Sequence, residues 1–282
     1  MIVPRTVQLV TLFVLGAASL FAHEEPAKTI KERMEHERHR RKTVARKIRV
    51  ETLWKVTGST RSRQLITLFD RNGNPVEETA FGPDSLPTAR VLSNYTPEHI
   101  LFQKTVIAVG DTERTAFTFL PSRLVAAATD FSPSGYARSL LEYLYTDTLI
   151  VATKSDSMGA PVYRILYRYP QGTAYGVMTE ARQEDASGQQ VLRMRNVYQG
   201  ELRTAKLVYD GRDSLDYTFL YVYTEDGDLD TITKQLANGT TVYQRRYHYA
   251  PDGGLQSIAE RDAGGVLRLL LEYEYERYGE GE

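Results

Sequence analysis

The chain has 282 residues, a formal net charge of −1 and no cysteine, so it has room for a large core, gives no general case for nucleic acid, and excludes disulfide or thiolate chemistry. Its nineteen tyrosines are many for this length and point to β structure, because tyrosine suits pleated, half-buried surfaces.

In residues 1–22 Arg5 is the only charged side chain, and Val7 to Ala22 is an apolar run ending in small residues. A basic start, an apolar middle and small residues near a cut make a secretory signal peptide, so export to the periplasm, cell surface or medium is expected. Residues 23–49 change composition abruptly: Lys28 to Arg49 holds ten Lys or Arg against three Glu. Glu37 precedes Arg41 by one helical turn, but no apolar stripe continues along the segment, which reads as a basic helix or a disordered arm. Residues 28–49 could touch an anionic envelope surface. His36 and His39 could share a helix turn but lack a third ligand nearby, and no metal or cofactor is expected.

From residue 50 to 282 the chain repeats. Aromatic marks fall at Phe69, Tyr95, Phe119, Tyr145, Tyr169, Tyr198, Tyr223, Tyr249 and Tyr275, with spacings of 26, 24, 26, 24, 29, 25, 26 and 26. A second series of turn signals falls between them, at Gly82, Gly110, Gly135, Gly159, Gly188, Gly211, Gly239 and Gly265. Each unit therefore holds two strands and two tight turns, giving roughly sixteen to eighteen antiparallel strands. Tyr217, Phe219, Tyr221 and Tyr223 alternate onto one face, as do Tyr243, Tyr247 and Tyr249, then Tyr273 and Tyr275; Gln244, Arg246 and His248 fall on the other. So large a sheet must curl, fold over or close to cover the aromatic side.

Tyr221 to Ile232 and Tyr247 to Ile258 share the pattern Tyr-x-Tyr-x-x-x-Gly-x-Leu-x-x-Ile. Over residues 216–279 this resembles the YD repeats of the RHS family, although the Tyr-Asp pair itself survives only as Phe69-Asp70 and Tyr209-Asp210. The resemblance implies an all-β array of about eight hairpins in an extended or curled sheet, on an exported protein linked to carbohydrate binding or to encapsulation of toxins.

The expectation is a non-enzymatic binding or scaffold module of the envelope, its partner a surface glycan or envelope protein. The candidate contacts are Tyr217, Tyr221, Tyr223, Tyr243, Tyr247, Tyr249, Tyr273 and Tyr275, whose flat faces and hydroxyls suit sugar rings; the same rings could equally be core. An outer-membrane β-barrel is the alternative. Against it stand Arg245 among the aromatic positions, Glu272 and Glu274 on the other face, and Leu229 and Ile232 three residues apart, which breaks simple alternation. An envelope hydrolase is a further alternative for which no catalytic constellation can be named. Asp226, Asp228 and Asp230 alternate as calcium ligands can, but they lack the remainder of an EF-hand and read as turn residues.

Overall fold

The computed structural model describes residues 30–108, 111–170 and 177–279. The expected signal peptide, residues 1–22, and the turn signal at Gly110 lie outside the described residues. Helix α1 (Ile30–Ala45) comes first. It is followed by β1 (Ile48–Thr57), β2 (Thr60–Phe69), β3 (Pro75–Phe81), β4 (Pro87–Tyr95), β5 (Leu101–Ala108) and β6 (Asp111–Phe119). Next come β7 (Val125–Phe131), β8 (Ala137–Tyr145), β9 (Leu149–Asp156), β10 (Pro161–Arg168), β11 (Glu180–Asp185) and β12 (Gln190–Gln199). The last are β13 (Leu202–Tyr209), β14 (Leu215–Tyr223), β15 (Leu229–Leu236), β16 (Thr241–Tyr249), β17 (Leu255–Asp262) and β18 (Leu267–Arg277).

The strands form one 18-stranded sheet in which each pairs antiparallel with the next in sequence. The sheet closes: β1 pairs with β18 from Ile48↔Arg277 to Val56↔Leu270, while its other edge pairs with β2. The Tyr278 hydroxyl donates to the Phe69 carbonyl at 2.6 Å and its amide to Lys47 at 2.9 Å, fastening the end of the chain across the seam. The all-β, antiparallel expectation holds, but the extended or curled sheet and the YD/RHS resemblance are corrected: the described strands form a closed barrel, none of them left as an edge. The 26-residue period encodes equal hairpins, and an up-and-down barrel is made of equal hairpins too.

The turns explain the curvature. At 70–74 the amide of Asp70 bonds the Asn74 carbonyl and that of Gly73 bonds the Asp70 carbonyl; the same pattern recurs at 156–160, 224–228 and 250–254. It is a type I turn followed by a left-handed residue, and it leaves a one-residue bulge beside the turn. Hence Tyr223 pairs with Leu229 while Val222 pairs with Thr231. The Asp70 carboxylate accepts from the amides of Asn72 and Asn74, and Asp156, Asp185 and Asp210 do the same at their turns. Gly82 and Gly211 are not the left-handed residues of their turns; Ser85 (φ 62) and Asp213 (φ 64) are. His99 (φ 63) and Arg123 (φ 65) fill the positions where sequence shows no turn glycine.

Side-chain alternation assigns the faces. Leu53 lies opposite Leu65 and Leu65 opposite Ala80, Val91 packs with them, and all four are 1–4% exposed, so their face is the interior of the single-layered wall. The tyrosine marks share it. At the rim where the even-numbered strands end, five of these hydroxyls reach back 20 residues to a carbonyl at the start of the preceding strand, while the Tyr169 hydroxyl is buried without a hydrogen-bond partner. Tyr95 donates to Pro75, Tyr145 to Val125, Tyr223 to Arg203, Tyr249 to Leu229 and Tyr275 to Leu255, all at 2.7–3.0 Å.

Helix α1 lies across this rim. Sixteen residues span about 24 Å at 1.5 Å per residue. Glu32 in its first turn and Lys42 in its last suit the helix dipole, and Lys47 (φ 52) ends it, its amide bonding the Val44 carbonyl. Arg33 donates to the Ser122 carbonyl at 3.0 Å, Arg40 to Asn72 at 2.8 Å, and Lys42 and Arg46 meet Asp228 and Asp252 at 3.6 and 3.5 Å. A Cβ on Gly73 would come within 2.7 Å of the Arg40 carbonyl and 2.9 Å of Val44, whereas one on Gly227 would meet nothing within 4 Å.

Gly73 (φ 79) and Gly227 (φ 82) therefore separate turn strain from helix docking. Alanine at either should weaken the fold by about 1–2 kcal/mol through left-handed strain. Only Gly73→Ala should also strip hydrogen-exchange protection from the α1 amides. Equal α1 protection in both variants would contradict the docked helix.

Candidate functional site: the barrel interior and its partly covered mouth

The eight tyrosines singled out from sequence all face the interior, on β14, β16 and β18. They serve different purposes. Tyr223, Tyr249 and Tyr275 spend their hydroxyls on rim carbonyls. Tyr273 packs against the buried Leu53–Leu65–Ala80–Val91 cluster. Tyr217, Tyr221, Tyr243 and Tyr247 remain half-buried, so they keep surface inside the barrel.

Cations share this wall, of which the sequence reading placed only Arg245. Lys234 Nζ sits 4.0 Å from the Tyr217 ring centre, Arg203 lies 4.4 Å over Tyr221, and Arg245 lies 5.1 Å over Tyr243. Arg245, which looked out of place among aromatics, is inward and paired to Glu260 at 2.6 Å. On another arc Lys154 meets Asp130 at 3.2 Å, and Asp130 also accepts from Thr115 and Ser139. The signal available in sequence was parity: Lys206, Lys234 and Arg245 occupy inward positions once the bulges are placed.

At the helix end, α1 covers the mouth only in part. A cavity of ≈ 950 Å³ lies on one side, lined by Met34, His36, Glu37, Arg40, His99 and Arg123 among others. Another of ≈ 450 Å³ lies among Glu35, Arg38, Tyr169, Tyr198, Arg203 and Tyr223. No group of three or more metal-ligating side chains occurs among the described residues, and His248 points outward and is exposed. Asp228 meets Lys42 and Asp230 meets Arg246 at 3.8 Å, so both serve ion pairs.

Ion pairs within α1 steady it and fix Arg40 where it donates to Asn72, and pairs from its end reach the turns. The Arg40 guanidinium, bonded to Glu37 at 2.7 and 3.0 Å, pulls that carboxyl down to about 2 against the burial penalty, and Arg41 helps at 2.9 Å. In the β16–β17 turn the Gly254 amide, and then Arg46 and Arg277, hold the carboxyl of the exposed Asp252 below its ordinary value.

No family model and no curated protein matches the chain. Among solved structures, a porin-like protein from Bacteroides uniformis is 10% identical with a TM-score of 0.43, over 81% of this chain and 98% of its own. A porin-like protein from Bacteroides vulgatus is 11% identical with a TM-score of 0.32, over 82% and 99%. A GtfA/B complex bound to UDP and GlcNAc is 21% identical with a TM-score of 0.22, over 46% and 23%. None of these likenesses reaches a TM-score of 0.5, and neither the fold nor the function of this chain rests on them. The closed wall itself favours an outer-membrane β-barrel over the repeat scaffold expected first, because a scaffold of hairpins gives no reason for strand β18 to return to β1.

The depressed carboxyls set a pH dependence for the mouth. Carboxylates with lowered folded-state pKa stabilise docking above their unfolded values and lose that contribution as pH falls through the folded ones. Exchange protection of α1 should be full above about pH 5 and fade as pH drops toward about 2. Glu37→Gln should lower protection at neutral pH and flatten that part of the profile. A profile unchanged by acid would contradict docking through these pairs.

Proposed function

We propose that the protein is an outer-membrane β-barrel whose interior is reached through a mouth partly covered by α1. The observation that carries this reading is the β1–β18 pairing, since a closed sheet pairs its backbone groups internally and only closed barrels or helices span a bilayer. The even strand number agrees with it. So do outward aliphatic side chains such as Leu144, Val222 and Val197, at 66%, 55% and 45% exposure. No helix among the described residues is long and apolar enough to cross a membrane, which says nothing about crossing by strands. The apolar run from Val7 to Ala22 would serve as the export signal. In this reading the barrel has a binding or passage role without catalysis, its partner is an envelope glycan or protein, and the exposed Arg38 on α1 is available to an anionic headgroup.

Outward ion pairs favour a second reading, a water-bathed barrel of the envelope. Arg90 meets Glu77 at 2.6 Å and Arg164 meets Glu184 at 2.8 Å, both on the outer face. An arginine facing lipid costs about 2–4 kcal/mol at the midplane and less near the interfaces. Cell fractionation and the detergent requirement for folding separate the readings. The full chain should fractionate with the outer membrane, fold to β structure only with detergent or lipid, and raise ion conductance across planar bilayers. A monodisperse, β-rich species without detergent would overturn the membrane reading in favour of the second.

A further inference from the structure

The inner wall over β13–β15 has an uncompensated charge. Lys206 and Lys234 flank Phe219 from opposite sides, each ammonium 5.9 Å from the ring centre. Lys206 and Phe219 are cross-strand partners, as are Phe219 and Lys234, so all three sit at one level of the wall. Among the described residues neither lysine has a carboxylate within ion-pair distance. Two other inward cations do: Arg245 has Glu260 at 2.6 Å and Lys154 has Asp130 at 3.2 Å. Arg203, close enough to repel Lys206, stacks on Tyr221 and leaves its Nε buried without a hydrogen-bond partner.

Around these cations are flat, half-buried rings, each with a cation near its face. Tyr217 meets Phe219 edge-on, 5.3 Å between centres at 80°, and the next inward residues on β14 and β16 are Tyr221 and Tyr243. All are half-buried, not sealed in a core, so the patch is reachable from the barrel interior. Like charges held together without counter-ions repel one another, and an anion between them removes that penalty. Aromatic faces with hydroxyl handles add stacking for a ring-shaped ligand.

We propose that Lys206, Lys234 and the rings of Tyr217, Phe219 and Tyr243 form a binding site for an acidic saccharide, its carboxylates or sulfates between the lysines and its sugar rings on the aromatics. The site faces the interior whether the barrel lies in a bilayer or in water, so it does not depend on the membrane reading.

Calorimetric titration of the folded full chain with oligogalacturonate, maltooligosaccharide of the same length and inorganic phosphate tests it. Oligogalacturonate should bind, with the neutral sugar and phosphate each at least about tenfold weaker and the acidic sugar weakening as salt rises. Lys206→Gln with Lys234→Gln should lower oligogalacturonate affinity about tenfold or more, while Lys206→Arg with Lys234→Arg keeps it within a few-fold. The outer-face variant Arg90→Gln, which also removes cationic charge, should leave binding unchanged. Absence of oligogalacturonate binding, equal binding of the neutral sugar, phosphate binding as tight as the acidic sugar, or an unaffected glutamine pair would each overturn the site. If the glutamine pair fails to fold, the arginine pair decides, with Tyr217→Leu expected to weaken oligogalacturonate and leave phosphate unchanged.

Discussion

The pairing of β1 with β18 constrains everything else in the molecule. Trp54 on β1 donates to Glu274 on β18, 220 residues away, at 2.8 Å, and Arg61 reaches Glu272 on the outer face of the same seam at 3.2 Å. Once that seam forms, strand alternation divides every side chain between an enclosed interior and an outer face. The tyrosines then have a definite environment, and the rim that receives α1 becomes a ring instead of a line. Without the seam the same hairpins would leave β1 and β18 as bare edges, open to pairing with another copy.

The two ends of the barrel differ because the tyrosine marks fall at one of them. Six of the tyrosine marks tie their strands back to, or just before, the start of the preceding strand, which stiffens the rim that α1 crosses. The helix itself has no apolar stripe, and it is seated by arginine–carbonyl bonds, ion pairs and turns small enough to let it approach. Such contacts are screened by salt and individually weak, so α1 is held less firmly than the strands. Cavities remain on both sides of it, which makes the mouth restricted but not sealed.

Much of the wall was legible in the sequence. The aromatic period locates the hairpins, and the parity of Tyr217, Phe219, Tyr221 and Tyr223 gives the face. The spacing of Leu229 and Ile232 counted against a barrel, yet it is the signature of the bulge after Tyr223, where a one-residue register shift restores alternation. Glycine marked most turns, but Ser85, His99, Arg123 and Asp213 adopt left-handed backbone without it, and small or polar residues elsewhere in these turns draw the eye to the wrong position. Closure was not legible, because local periodicity carries no information about a contact between the first and last strands. Nor was the patch around Phe219, since Lys206 and Lys234 look like ordinary surface charges until the bulges fix which way they point.

The absence of cysteine allows the seam to be tested directly. Val56 and Leu270 are partners across it, and antiparallel partners about 4.5–5.5 Å apart at Cα fall within disulfide range. The doubly substituted chain, Val56→Cys with Leu270→Cys, should form an intramolecular disulfide in high yield on mild oxidation, read by mass spectrometry and by mobility without reductant. A closed barrel predicts that bond, and predicts little of it when Leu270→Cys is replaced by Glu276→Cys. An open sheet would give no intramolecular bond in either pair, or disulfide-linked dimers, and either result would contradict closure.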